Sequence, residues 1–167
     1  MAERFDPASL PSAKAARYAA LAEEIAAVLE GEANVVARQA TVAAMLADAF
    51  EHYFWTGFYL VDPANPGELV VGPYQGTLGC LRIAFGRGVC GTAAAERRTV
   101  IAPDVEAFPG HIACDSRSRS EIVAPVFGAD GALIGVFDVD STELAAFDET
   151  DAAGLERILA DAFGTAP

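Results

Sequence analysis

Ile134-Gly135-Val136-Phe137-Asp138-Val139-Asp140, preceded by Glu121-Ile122-Val123-Ala124-Pro125-Val126, is the stretch that decides the fold. Both runs are β-branched and apolar, and Asp130-Gly131 between them suits the type I′ turn of a two-stranded hairpin. Strand side chains alternate, so Ile134, Val136, Asp138 and Asp140 share one face, which is apolar at one end and acidic at the other. Neighbouring like charges on a half-buried face are unfavourable unless a cation satisfies them, and a ligand amine would do so. Glu121, which opens the partner strand, adds a third carboxylate. The bland alternative puts both aspartates past the strand end, in solvent.

Working outward, Tyr53 to Val61 is a second strand signal, ended by Asp62-Pro63-Ala64-Asn65-Pro66-Gly67, with Leu69 to Tyr74 as its hairpin partner. In Trp55-Thr56-Gly57-Phe58-Tyr59, Trp55, Gly57 and Tyr59 share a face. Two aromatics flanking a glycine either form a slot for a methyl or thioether group or simply pack as core. Before this section lie two helices. Ser12 caps the first, whose apolar positions are Tyr18, Leu21, Ile25, Val28 and Leu29, and which stops near Gly31. Asn34 caps the second, with Val35, Val42, Met45, Leu46 and Phe50 inward. A short helix starts near Gly88 to Gly91, Thr99 to Ile101 is a short strand, and Pro103 to Arg119 is a long polar loop able to close over a ligand. Asp148 caps a last helix carrying Leu155, Ile158, Leu159 and Phe163, ended by Gly164. These elements predict an α/β (α+β) fold: a central antiparallel sheet, N- and C-terminal helices on one face, and loops over a pocket on the other.

The 167 residues fit one domain, and 53% hydrophobic content excludes disorder. No apolar run is long enough to cross a bilayer, and the acidic start Met1-Ala2-Glu3-Arg4-Phe5-Asp6 is not that of a signal peptide, so the expected compartment is the cytoplasm. A net charge of −13 argues against nucleic acid and anionic membrane as partners. The charge is uneven, however. Residues 80 to 120 hold six arginines against four acids, and all three cysteines, Cys80, Cys90 and Cys114, lie in this stretch.

Thiolates are the reactive form of cysteine, and cations or a helix N-terminus favour them. Cys114 has Arg117 and Arg119 close in sequence, Cys90 sits near a helix start, and Cys80 follows a glycine in a flexible stretch. Each is equally readable as an inert buried thiol, yet three in one electropositive region make at least one reactive thiol a working expectation. Zinc is not expected, because structural sites use close-spaced ligand pairs and there is no Cys-x-x-Cys. No phosphate-binding glycine loop, dinucleotide fingerprint or nucleophile elbow is present. His52 and His111 read as structural or loop residues.

These motifs, together with Gly72-Pro73-Tyr74-Gln75-Gly76, Arg87-Gly88-Val89-Cys90-Gly91-Thr92-Ala93, His111-Ile112-Ala113-Cys114-Asp115 and Ser118-Arg119-Ser120-Glu121-Ile122-Val123, resemble the free methionine-R-sulfoxide reductases, stand-alone GAF-fold enzymes. The resemblance runs from about Leu46 to Ile158. It implies a single GAF-like domain, residues 34–163 forming the core and 1–33 a helical extension. It implies Cys114 as nucleophile, Cys80 as its resolving partner, and Cys90 as an auxiliary thiol. Trp55 and Tyr59 would surround the methylsulfoxide end; Glu121, Asp138 and Asp140 would hold the amino acid and assist at the sulfoxide. No bound cofactor or metal is implied. The expected reductant is external, thioredoxin, and GAF domains often pair as homodimers. A GAF-type sensor that binds a small molecule or senses redox state, without turnover, is the rival expectation.

Overall fold

The computed structural model describes residues 5–164. Asn34 caps its helix as expected, its side chain accepting from the Ala37 N–H at 3.0 Å. Asp148 does so through a reciprocal capping box with Asp151. Ser12 does not cap: the first helix has Ala13 at its N-cap with no side-chain bond. The four helices are α1 (Lys14–Val28), α2 (Val35–Ala49), α3 (Gly88–Glu96) and α4 (Glu149–Phe163). None among the described residues is long and apolar enough to cross a membrane.

The strands are β1 (Trp55–Asp62), β2 (Asn65–Gln75), β3 (Arg82–Ala84), β4 (Val100–Ala102), β5 (Ser120–Phe127) and β6 (Leu133–Ser141). They form one antiparallel sheet in the order β3-β2-β1-β6-β5-β4. The central pair, β1 and β6, sets Trp55 opposite Asp140, Gly57 opposite Asp138, and Tyr59 opposite Val136. The short edge strand β3 was not expected from sequence.

Alternation along these strands divides the core in two. Phe58, Phe137, Ile122, Ala124 and Val139 face α1, α2 and α4. Phe58 and Phe137 are fully buried and meet edge to face at 4.8 Å; burial of each contributes about 1.5–3 kcal/mol. Trp55, Tyr59, Val123 and Val136 face the opposite way, towards Leu69, Ile83 and the α3 residues Val89, Cys90 and Ala93. The terminal helices thus share one face, as expected, while α3 and the loops cover the other.

Besides Ser12, four local expectations fail. Val28 and Val35 are half exposed, at the last turn of α1 and the first turn of α2. Ile134 packs on the helix side rather than with Val136, because the β5–β6 register shifts between Val126 and Phe127. That shift also lengthens the turn. Gly128 closes it by donating to the Ala132 carbonyl, and Gly131 alone has a positive φ (77°), so the two-residue type I′ geometry does not form.

Candidate active site

The site lies on the sheet face that lacks the terminal helices. Its floor is β1, β5 and β6, its wall α3, and its roof two loop segments, residues 76–87, which carry the short β3, and 103–119. A pocket opens there, lined on the floor by Trp55, Tyr59, Glu121, Asp138 and Asp140. Cys90 and Cys114 line it from the wall and the roof.

The roof is tied by a covalent bond: Cys80 and Cys114 form a disulfide, with Cα atoms 5.4 Å apart. Polar contacts hold the same two loops in register. Thr77 donates its hydroxyl to Asp115 at 2.8 Å, and Trp55 donates its indole N–H to the Thr77 carbonyl at 2.9 Å. Arg117 grips Asp115 with two N–H bonds, at 3.0 and 2.8 Å, and stacks over Phe54. The guanidinium beside Asp115 holds that carboxyl well below the usual carboxylate range. Arg117, expected as a cation for Cys114, is therefore engaged by its own loop.

The aromatic floor differs from the slot read in the sequence. Trp55 stacks between Tyr59 and Tyr74, at centroid distances of 5.4 and 4.9 Å. The space above Gly57 is filled by the crossing β2 backbone: a Cβ there would lie 2.6 Å from the Tyr74 Cα and 2.8 Å from the Pro73 carbonyl. Gly57 is small so that β2 can cross, not to admit a ligand. Gly79 is the glycine that borders the aromatics, since its Cβ would come 2.9 Å from the Tyr59 hydroxyl and 3.1 Å from the Trp55 ring.

The acidic end of β6 is inside. Asp138 and Glu121 are buried, which rejects the solvent-exposed reading, while Asp140 is partly exposed. Among the described residues none of the three makes an ion pair. Burial, and then repulsion from neighbouring carboxylates, pushes Glu121 and Asp138 well above the normal carboxyl range. Asp140 is raised to about 7, mainly by burial. Asp138 Oδ1 is a buried acceptor with no partner. Cys90 is buried with its Sγ 3.7 Å from Glu121 Oε1, and burial next to acids pushes its thiol up. Its place in the first turn of α3 does not make it a thiolate here. A floor of uncompensated acids suits a cationic ligand, and a disulfide at the mouth suits thiol redox chemistry.

Residues 34–162 match the model of the GAF domain family. The Escherichia coli free methionine-R-sulfoxide reductase is 42% identical over 143 residues, covering 86% of this chain and 84% of that protein. The Saccharomyces cerevisiae free methionine-R-sulfoxide reductase is 39% identical over 133 residues, covering 77% and 74%. The chain belongs to the free methionine-R-sulfoxide reductases of the GAF family. A solved member, the free methionine-R-sulfoxide reductase of Neisseria meningitidis in complex with its substrate, superposes with a TM-score of 0.87 at 50% identity. That match covers 96% of this chain and 92% of the other.

All the residues singled out through the reductase resemblance except Cys80 line this one cavity, and Cys80 is bonded to one that does. Sequence reasoning passed over Ile83, His111, Ile112 and Ser118, which also line it. Only His111 carried a signal, a polar ring three residues before Cys114 in a glycine-containing loop. Its Nδ1 is buried without a partner. His52, by contrast, packs among Phe50, Tyr53 and Phe147 on the helix side and is structural.

Proposed function

We propose that this chain reduces free methionine-R-sulfoxide to methionine, with Cys114 as nucleophile, Cys80 as resolving thiol, and Glu121, Asp138 and Asp140 as the substrate's polar contacts. The reading is carried by one observation: a Cys80–Cys114 bond at the mouth of a cavity whose floor holds the buried carboxyls of Glu121 and Asp138, with no basic side chain among the described residues paired to either.

A sulfoxide sulfur accepts a thiolate only if its oxygen is protonated as the bond forms. Carboxyls kept from ionising by burial supply that proton at neutral pH. The substrate's ammonium pairs with a carboxylate of the same cluster, and its methyl end lies against Trp55 and Tyr59. The sulfoxide oxygen passes to Cys114, so methionine leaves and Cys114 becomes a sulfenic acid. The Cys80 thiol displaces that oxygen as water, forming the disulfide. An external dithiol then attacks the disulfide, is itself oxidised, and returns both cysteines to thiols.

For that last step the reading takes a protein dithiol of the thioredoxin type, in the cytoplasm, where such reductants are maintained. In support, Leu78 and Leu81 flank Cys80 and are 77% and 69% exposed, the most exposed large apolar side chains described. They give an apolar partner surface something to bury beside the sulfur it attacks. Cys90, buried against Glu121, takes no step in this cycle.

The test is methionine release from racemic free methionine sulfoxide with excess dithiothreitol. Wild type should consume half of the racemate and stop, and Cys114→Ser should release none. An active Cys114→Ser would move the nucleophile; an inactive wild type would leave a ligand-binding or redox-sensing GAF domain.

A further inference from the structure

We propose that Cys90, Glu121 and Asp138 form a three-ligand site for Zn²⁺, and that the bound ion holds the enzyme inactive. The Cys90 Sγ and one oxygen from each carboxyl all lie within 4.8 Å of one another. All three residues are buried, at 4%, 6% and 5% exposure. Tetrahedral zinc, with Zn–S of about 2.3 Å and Zn–O of about 2.0–2.2 Å, sets neighbouring S and O ligands roughly 3.5 Å apart. The Cys90 Sγ to Glu121 Oε1 distance is 3.7 Å. The sulfur and one oxygen are thus already spaced as ligands.

A second, independent observation points the same way. Asp138 Oδ1 is buried in the cavity floor with no hydrogen-bond partner, so an acceptor is held there unused. Each ligand sits on a regular element, α3, β5 or β6, and needs no loop to order before an ion enters. One thiolate with two carboxylates suits zinc better than calcium or magnesium, which take six or more oxygens, and better than copper(I), which selects thiolates and thioethers. Three protein ligands leave a fourth position for water. No sequence spacing reveals the set, because the ligands come from three separate elements.

Loading the site expels to solvent the Cys90 proton and those held by Glu121 and Asp138. The ion then occupies the place of the substrate's ammonium and leaves those two carboxyls no proton to give the departing oxygen. The inhibition rests on the reductase reading above; the binding does not. Cys90, a bystander in the reaction, thereby gains a use.

The experiment titrates the full-length disulfide form with Cd²⁺, following the ultraviolet sulfur-to-cadmium charge-transfer band. Cys80 and Cys114 are blocked in that form, so Cys90 is the only thiol able to give the band. One equivalent should saturate it, and Zn²⁺ should bleach it by displacement. Asp138→Asn and Glu121→Gln keep the thiol and the side-chain volume, and each should raise the midpoint at least tenfold. Free methionine sulfoxide should raise the wild-type midpoint by competition. No band, or a band whose midpoint ignores both variants, would overturn the site. A midpoint that ignores free methionine sulfoxide while turnover in metal-free buffer is normal would overturn the inhibition and leave the reductase reading standing.

Discussion

Adding one equivalent of free methionine-R-sulfoxide to the fully reduced protein, with no reductant present, should raise its melting temperature. One turnover leaves Cys114 bonded to Cys80, a cross-link spanning 34 residues of sequence. The closed loop contains β3, α3 and β4 and forms most of the cavity wall and roof. Cross-linking removes from the unfolded ensemble the conformations in which the ends of that loop lie far apart. For a loop of this length the chain-entropy relation gives about 4 kcal/mol, and measured disulfides commonly give 2–4 kcal/mol. In a domain of this size each kcal/mol moves the melting temperature by about 2–4 °C, so the rise should be roughly 5–15 °C.

The assay is calorimetry of protein reduced, desalted without oxygen, treated with substrate and then freed of methionine. Dithiothreitol should reverse the rise, and Cys90→Ser should show it in full. Cys80→Ser should release one equivalent of methionine yet show no rise, because its sulfenic acid has no partner at Cα distance 5.4 Å. A wild type that releases methionine without any rise would refute the resolving role of Cys80. A rise of the same size in Cys80→Ser would refute it equally and assign resolution to Cys90.

Four further outcomes follow from particular contacts. Leu81→Ser should raise the KM for a thioredoxin-type protein reductant by about tenfold, the equivalent of ~1.4 kcal/mol of lost burial, and leave turnover with dithiothreitol unchanged. Gly79→Ala sets a methyl against the Tyr59 hydroxyl and the Trp55 ring; strain on the order of 1–2 kcal/mol should raise the substrate KM about tenfold. N-acetyl-methionine sulfoxide, which has no ammonium for the acidic floor, should be turned over at least about 100-fold less efficiently than the free amino acid in a kcat/KM comparison. Asp148 is held at about 2, first by the Lys14 hydrogen bond, so its contribution to stability is complete above pH ~4 and disappears as pH falls through 2. Urea midpoints measured from pH 6 to 2 should show that loss, and Lys14→Met should flatten it.

How far the sequence discloses this protein depends on the range of the forces involved. Asn34 and Asp148 were readable as caps because capping is decided within three or four residues. The β1 and β6 strands were readable because their apolar density is local. The failures are non-local. Ser12 has a capping side chain, but the helix begins after Ala13 because the preceding chain is held elsewhere. Arg17 donates to the Pro7, Leu10 and Pro11 carbonyls. Gly57 looks like an opening in an aromatic slot until β2 is laid across it. β3 has only three residues, and its strand geometry comes from pairing with Glu68 to Val70. In the site, the arginines near Cys114 suggested a thiolate, yet Arg117 spends its charge on Asp115 two residues away. The acidic face of β6 was legible as a pattern. That it is buried follows only from α3 and the two roof loops closing over it.

That closure explains why the site can be both reactive and selective. A thiol that attacks sulfoxides must be reached by its reductant, so its disulfide sits at the mouth of the cavity beside two exposed leucines. A carboxyl that protonates a weak base must be kept from ionising, so it belongs on a floor where water is excluded. In the proposed cycle a single molecule spans the two, its ammonium end on the acidic floor and its sulfoxide near Cys114. The buried acids lower the cost of binding such a molecule, because its ammonium offsets a charge that the empty site can only carry as a proton. A methionine sulfoxide residue within a peptide chain brings no such charge. On the proposed reading, selectivity for the free amino acid needs no dedicated recognition loop: it follows from burying acids with no basic partner beneath a roof tied by the redox pair itself.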